Sequence, residues 1–88
     1  MDRIKLIAEC HRLNNHLEHN QLVQANAITS KMEAIITDTF KAECTLEKKV
    51  EDHAYWKAYK SLILIKNFIM SGRTQEALSQ TRLTIDQL

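Results

Sequence analysis

Eighty-eight residues make one small domain, residues 1–88, near the size at which a single core gives only marginal stability and a partner or a second copy adds support. Hydrophobic residues at 44% and charged residues at 26% belong to a globular chain and exclude wholesale disorder. A net charge of +1 supplies no one-signed field for nucleic acid or an anionic membrane, and no segment approaches the roughly 20 apolar residues that span a bilayer. Met1-Asp2-Arg3-Ile4-Lys5 enters an amphipathic pattern directly, with no apolar signal core, so the expected location is cytoplasmic.

Leu6, Cys10, Leu13 and Leu17 fall at i, i+4, i+7 and i+11, which predicts a first helix from about Asp2 to Glu18. The polar cluster His16 to Gln21 follows, and Asn20 can serve as the N-cap of the next helix. Leu22, Ala25, Thr29, Met32 and Ile36 then share one face of a second helix that should reach about Thr39. From Thr37 to Thr45 the pattern is irregular and rich in β-branched residues, and Thr45 followed by Glu47 suits a new N-cap.

The third segment carries Leu46, Val50, Tyr55, Trp56, Tyr59, Leu62, Ile63, Leu64, Ile65, Phe68, Ile69 and Met70, and its second half is apolar almost all round. Such a helix expects contact on several sides. Gly72, the only glycine, permits the left-handed conformation that ends helices, and Thr74 can cap a fourth helix with Ala77, Leu78, Thr81, Ile85 and Leu88 on one stripe. These segments predict an all-α bundle of four helices in two antiparallel hairpins. With no proline, and no glycine before Gly72, an alternative fuses helices 2 and 3 into a rod of about 50 residues. At about 1.5 Å per residue that rod would be on the order of 75 Å long and would require a dimer.

Setting Asn20 on Gly72 superposes Asn15 on Asn67, Leu13 on Ile65, Leu17 on Ile69, Ala25 on Ala77 and Thr29 on Thr81. The common content is an apolar helix, a turn residue tolerant of a left-handed backbone, and an Ala five residues on where helices approach closely. Ala58 to Leu78, with Phe68 four residues before Gly72 and Ala77 five after it, resembles a tetratricopeptide-type hairpin. Thr81 and Thr84 stand where that family has a later aromatic and a later Ala, and no terminal Pro follows. Leu62 to Leu83 is similar to the repeat region of the small chaperones that hold the needle subunit of type III secretion systems. About a quarter of the chain is covered. The resemblance implies a concave helical surface that holds an amphipathic helix of a client.

Little here asks for catalysis or metal. One glycine excludes phosphate-cradling loops, and adjacent Glu51-Asp52 splay apart on a helix rather than share a proton. His16 and His19 are three apart, yet no CxxC or HExxH joins them, and His11 points elsewhere. Cys10 and Cys44 read as reduced, small core hydrophobes, with a disulfide from helix 1 to the end of helix 2 as the alternative. No metal, cofactor or catalytic residue is expected.

The function expected is therefore non-enzymatic: a protein–protein interaction module, a small chaperone or adaptor that holds a helical client or self-associates. Its partner-binding candidates are Tyr55, Trp56, Tyr59, Ile63, Phe68 and Met70, because Tyr55, Trp56 and Tyr59 cannot all enter one core face and Trp and Tyr anchor interfaces. The alternative is a nucleic-acid or nucleotide-binding regulator using a row of Lys49, Lys57 and Lys60 along helix 3; Glu47, Glu51 and Asp52 among the lysines disfavour it. A small phage-type inhibitor of a host protein also fits the composition.

Overall fold

A computed structural model describes residues 2–88, and among them are four α-helices and one short 3-10 turn, with no strand. Helix α1 spans Asp2–Glu18, α2 Leu22–Glu43, α3 Trp56–Met70 and α4 Thr74–Gln87, with the 3-10 turn at Val50–Asp52. Each helix touches its two neighbours around a square, α1 on α2 and α4, α3 on α2 and α4. Lys66 on α3 meets Glu33 on α2 while Tyr59 meets Phe40, so α2 and α3 run antiparallel. Arg3, at the start of α1, donates to the carbonyl of Leu88 at the end of α4, which sets the same relation there. The bundle measures 42 × 23 × 20 Å.

The stripes read from the sequence become the core. Leu6, Cys10, Leu13 and Leu17 of α1 meet Ala25, Met32 and Ile36 of α2, Leu62, Ile65 and Ile69 of α3, and Ala77 and Leu78 of α4 in one buried cluster. Buried Thr29, Thr81 and Thr84 turn their hydroxyls back on Asn26, Ala77 and Gln80 carbonyls at 2.6, 2.8 and 2.8 Å. A satisfied hydroxyl can sit inside an apolar layer; an unsatisfied one would cost about 1–3 kcal/mol.

Both hairpins turn by the same device. Asn20 has φ 55° and Gly72 φ 70°. Asn20 N–H donates to Leu17 and Gln21 N–H to His16, at 3.1 and 2.8 Å; Gly72 N–H donates to Ile69 and Arg73 N–H to Phe68, at 3.1 and 2.7 Å. These paired bonds are the Schellman motif, which satisfies the last carbonyls of a helix. Asn20 therefore closes α1 instead of capping α2; the residue before α2 is Gln21, with no side-chain cap. Thr74 likewise is the first helical residue of α4, and Arg73 precedes it without a side-chain cap.

The internal similarity extends through the core at an offset of 52 positions. Buried Leu6, Glu9, Cys10, Leu13 and Leu17 of α1 answer buried Ala58, Ser61, Leu62, Ile65 and Ile69 of α3 one for one. Ala25 and Thr29 of α2 answer Ala77 and Thr81 of α4. The contacts α2 with α3 and α4 with α1 are then equivalent, as a two-fold relation along the bundle requires.

The fused rod is ruled out, because residues 44–55 separate α2 from α3. Helix α2 runs past Thr39 to Glu43, and within it Thr37 and Thr39 turn their hydroxyls back on the carbonyls of Glu33 and Ile35 at 2.9 Å each, which satisfies them inside the helix. Thr45 caps only a tight turn: its hydroxyl accepts from Glu47 and Lys48 N–H at 3.2 and 3.1 Å, and its own N–H donates to Lys48 at 3.0 Å. Helix 3, expected from Leu46, begins ten residues later at Trp56, and Leu46 is 99% exposed. Charged Glu47, Lys48, Lys49, Glu51 and Asp52 offer no stripe to bury, and packing of such a stripe is what holds most protein helices.

Cys10 and Cys44 are both free. Lys31 stands beside Glu9, so Cys44 lies 13 residues further along the chain from that level, about 20 Å at ~1.5 Å per residue. A disulfide between them is out of reach.

Candidate functional site

The outer face of α3 and the ring cluster at its start form the most distinctive surface. At 100° per residue Trp56, Ile63 and Met70 drift only about 20° per seven residues, so they line one stripe, with Tyr59 beside it. That stripe lies off the buried face of Ala58, Leu62, Ile65 and Ile69. Ile63 is 40% exposed and Met70 80% exposed. Trp56 and Tyr59 are half-buried.

Their burial comes from neighbours across the helix pair. Trp56 stacks on Tyr59 with ring centres 5.6 Å apart and planes 19° apart, and Phe40 of α2 meets Tyr59 edge-on at 5.6 Å and Trp56 at 6.4 Å. The His53 ring meets Phe40 at 5.3 Å and Tyr55 at 5.2 Å. Lys60 holds its Nζ 6.0 Å from the Trp56 ring centre, within cation–π range. Aromatic pairs at such distances contribute about 0.5–1.5 kcal/mol each beyond buried area.

His53 pins the linker. The Tyr55 N–H donates to its Nδ1 at 3.0 Å, which leaves the ring proton on Nε2, 3.6 Å from Glu43 Oε1. Tyr55 sits just before α3, and burial, with the Asp2 and Glu43 carboxylates nearby, pushes its phenol above the usual value against the pull of Arg3.

Three of the six sequence-predicted partner residues, Trp56, Ile63 and Met70, thus fall on one stripe, with Tyr59 beside it. Tyr55 belongs to the ring cluster at its end. Phe68 lies on the opposite flank, in a shallow cleft with Gln75, Glu76, Ser79 and Gln80 of α4. The contact on several sides expected for helix 3 is not met within the chain: Ile63, Leu64 and Met70 remain exposed among the described residues.

The lysine row does not form along one helix. Lys57 and Lys60 are on the first turns of α3, but Lys49 is in the linker, just before the 3-10 turn. It lines a cleft of about 540 Å³ with Cys44, Lys48, Asp52 and His53. His16 and His19 engage locally, His16 Nδ1 with Gln21 Oε1 at 2.7 Å and His19 Nδ1 with the Asn15 carbonyl at 2.8 Å. Among the described residues no three His, Cys, Asp or Glu side chains converge as metal ligands.

Two members of the cluster escaped the sequence reading, Phe40 and His53. Phe40 was legible: it continues the spacing Ala25, Thr29, Met32, Ile36 by four more residues. His53 carried no signal of the cluster, because Phe40 and Glu43, its partners on α2, are distant in sequence.

No helix among the described residues is long and apolar enough to cross a membrane. Comparison with known proteins finds no family model, no characterised relative and no solved structure that matches this chain.

Proposed function

We propose that this chain is a non-enzymatic protein-binding module, a small chaperone or adaptor that uses the outer stripe of α3 to hold an amphipathic helix, either a client's or its own copy's. The observation that carries the reading is a comparison inside the molecule. At the offset of 52, Trp56, Ile63 and Met70 correspond to Ile4, His11 and Glu18 of α1. Helix α1 packs in the same bundle position with a histidine and a glutamate there, so the fold does not demand an apolar stripe on α3. Apolar side chains kept exposed where packing does not need them are characteristic of interaction surfaces.

The hairpin resemblance of Ala58 to Leu78 favours a helical client. Two unpaired cysteines accord with a cytoplasmic setting. The reading is tested by placing a photo-crosslinking amino acid at Ile63, and separately at His11, in cells that make the protein. Adducts from position 63 and none from position 11 are expected. Equal yields from both positions, or none from either, would sink the proposal.

A further inference from the structure

We infer that His53 is a pH-sensitive latch on the start of α3: the neutral ring holds the linker against the aromatic cluster, and the protonated ring releases it. The latch is independent of what the α3 stripe holds. Tyr55, the residue before α3, gives the helix no side-chain cap, and His53 takes that place. Its Nδ1 accepts from the Tyr55 N–H and its carbonyl accepts from the Trp56 N–H, both at 3.0 Å, so one residue satisfies two donors at the helix start. Its own N–H donates to the Val50 carbonyl at 3.0 Å, which ties it to the 3-10 turn. The ring packs on Phe40 and Tyr55, and Phe40 in turn meets Trp56 and Tyr59.

An imidazolium cannot keep this arrangement. Protonated Nδ1 is itself a donor, so N–H would face N–H and the bond to Tyr55 is lost. The positive end of the α3 dipole opposes a cation in the same place, and the side chain is only 14% exposed.

The surrounding charges do not offset these costs. Clefts of about 540 and 430 Å³ share Glu43, His53 and Ala54 and give water and protons a route to the ring. Into them α1 brings Asp2 and Arg3, an acid and a base. The linker brings Glu47 and Asp52 against Lys48 and Lys49, together with the thiol of Cys44 and the phenol of Tyr55. From α4 come Gln87 and Leu88, with no charged side chain. Glu43 of α2 is the one acid left over, 3.6 Å from Nε2, and with its side chain 59% exposed its attraction is screened by water. A charged ring therefore leaves the Tyr55 N–H for Glu43 and solvent. Phe40 loses one of its three ring partners, and the start of α3 loosens around Trp56.

The full-length chain is titrated from about pH 8 to about pH 5, the span in which histidine changes charge, with Trp56 fluorescence as the readout. Emission should shift to the red on acidification, while the far-UV helix signal holds. Nitrogen NMR of the His53 ring should show Nδ1 unprotonated at the alkaline end, and the Tyr55 amide proton should move with the same midpoint as the fluorescence. His53→Asn keeps an acceptor for the N–H two residues on, as Asx-turns do, but does not titrate; its emission should stay at the alkaline value throughout. His53→Ala has neither, and should give the red-shifted emission even at the alkaline end. A flat wild-type titration overturns the latch, as does a red shift that persists in His53→Asn, an Nδ1 that carries the proton at the alkaline end, or a far-UV loss that accompanies the red shift.

Discussion

Lys31 Nζ stands 3.2 Å from Glu9 Oε1 across the first hairpin, and Arg12 bonds the same oxygen from one turn further along α1. The Glu9 side chain is 5% exposed, the Lys31 side chain 58%. Glu9 Oε2 is buried with no partner among the described residues. The equivalent position of the second hairpin is buried Ser61, whose hydroxyl donates to Gln87 and accepts from Gln80, each at 2.8 Å. Each hairpin thus carries a buried polar residue at this equivalent position, satisfied in the second and half-satisfied in the first.

Replacing Glu9 should therefore be mild and removing its partners severe. Glu9→Met removes a desolvated carboxylate and is expected to be neutral or stabilising by about 1 kcal/mol. Lys31→Met alone should cost about 1 kcal/mol, since water screens its half-exposed amine. Arg12→Met with Lys31→Met leaves the acid alone, at about 3 kcal/mol. Thermal melts resolve these, at about 4–8 °C per kcal/mol for a domain of this size. The order reversed would mean the carboxylate is needed where it is.

Gly72→Ala should destabilise through backbone strain alone, because no atom lies within 4 Å of an added Cβ. A left-handed alanine costs about 1–2 kcal/mol. Gly72→Asn should cost less, and Asn20→Gly should be tolerated or slightly stabilising, since Asn20 holds the same conformation at φ 55°. Urea unfolding measures all three; equal losses for Ala and Asn at Gly72 would contradict the strain account.

Burial, with the Glu9 charge adding to it, pushes the Cys10 thiol from 9.0 to about 12. A raised folded pKa favours the protonated native state. The protection is complete below pH 9.0, where both states keep the proton, and is lost between pH 9.0 and about 12 as only the unfolded thiol ionises. Stability at pH 10 should fall by about 1.4 kcal/mol for the first unit, and Cys10→Ala should remove that slope. In native protein a thiol reagent should titrate half-buried Cys44 quickly and Cys10 only on unfolding.

Phe40 holds together α2, the linker and α3 through its contacts with His53, Trp56 and Tyr59. Phe40→Ala should cost about 3–5 kcal/mol by the cavity it leaves. The fluorescence of Trp56, the single tryptophan, should shift to the red in the folded state as water reaches it. An unchanged spectrum would show that Tyr59 alone orders the indole.

Much of this was legible residue by residue. Leu6, Cys10, Leu13 and Leu17 repeat at helical spacing, and Gly72, with no Cβ, adopts its left-handed turn without strain, so helices, core and hairpin turn follow from local chemistry. The match between Asn20 and Gly72 foreshadowed the two-fold likeness of the hairpins, because both residues tolerate the same φ. The start of α3 was not legible: Thr45 and Leu46 look like a cap and a first apolar residue, and nothing local says that Leu46 has no neighbour.

Sequence alone determined that this chain is helical, amphipathic and turned at Gly72, because periodicity and backbone freedom are properties of neighbouring residues. Only tertiary structure decided that α2 and α3 are separate, that Asn20 ends one helix instead of starting the next, and that Phe40 and His53 share the cluster with Trp56. It also decided which apolar side chains are left over. Exposure depends on what packs against each side, and among the described residues the neighbours leave Ile63 part-covered and Met70 mostly open.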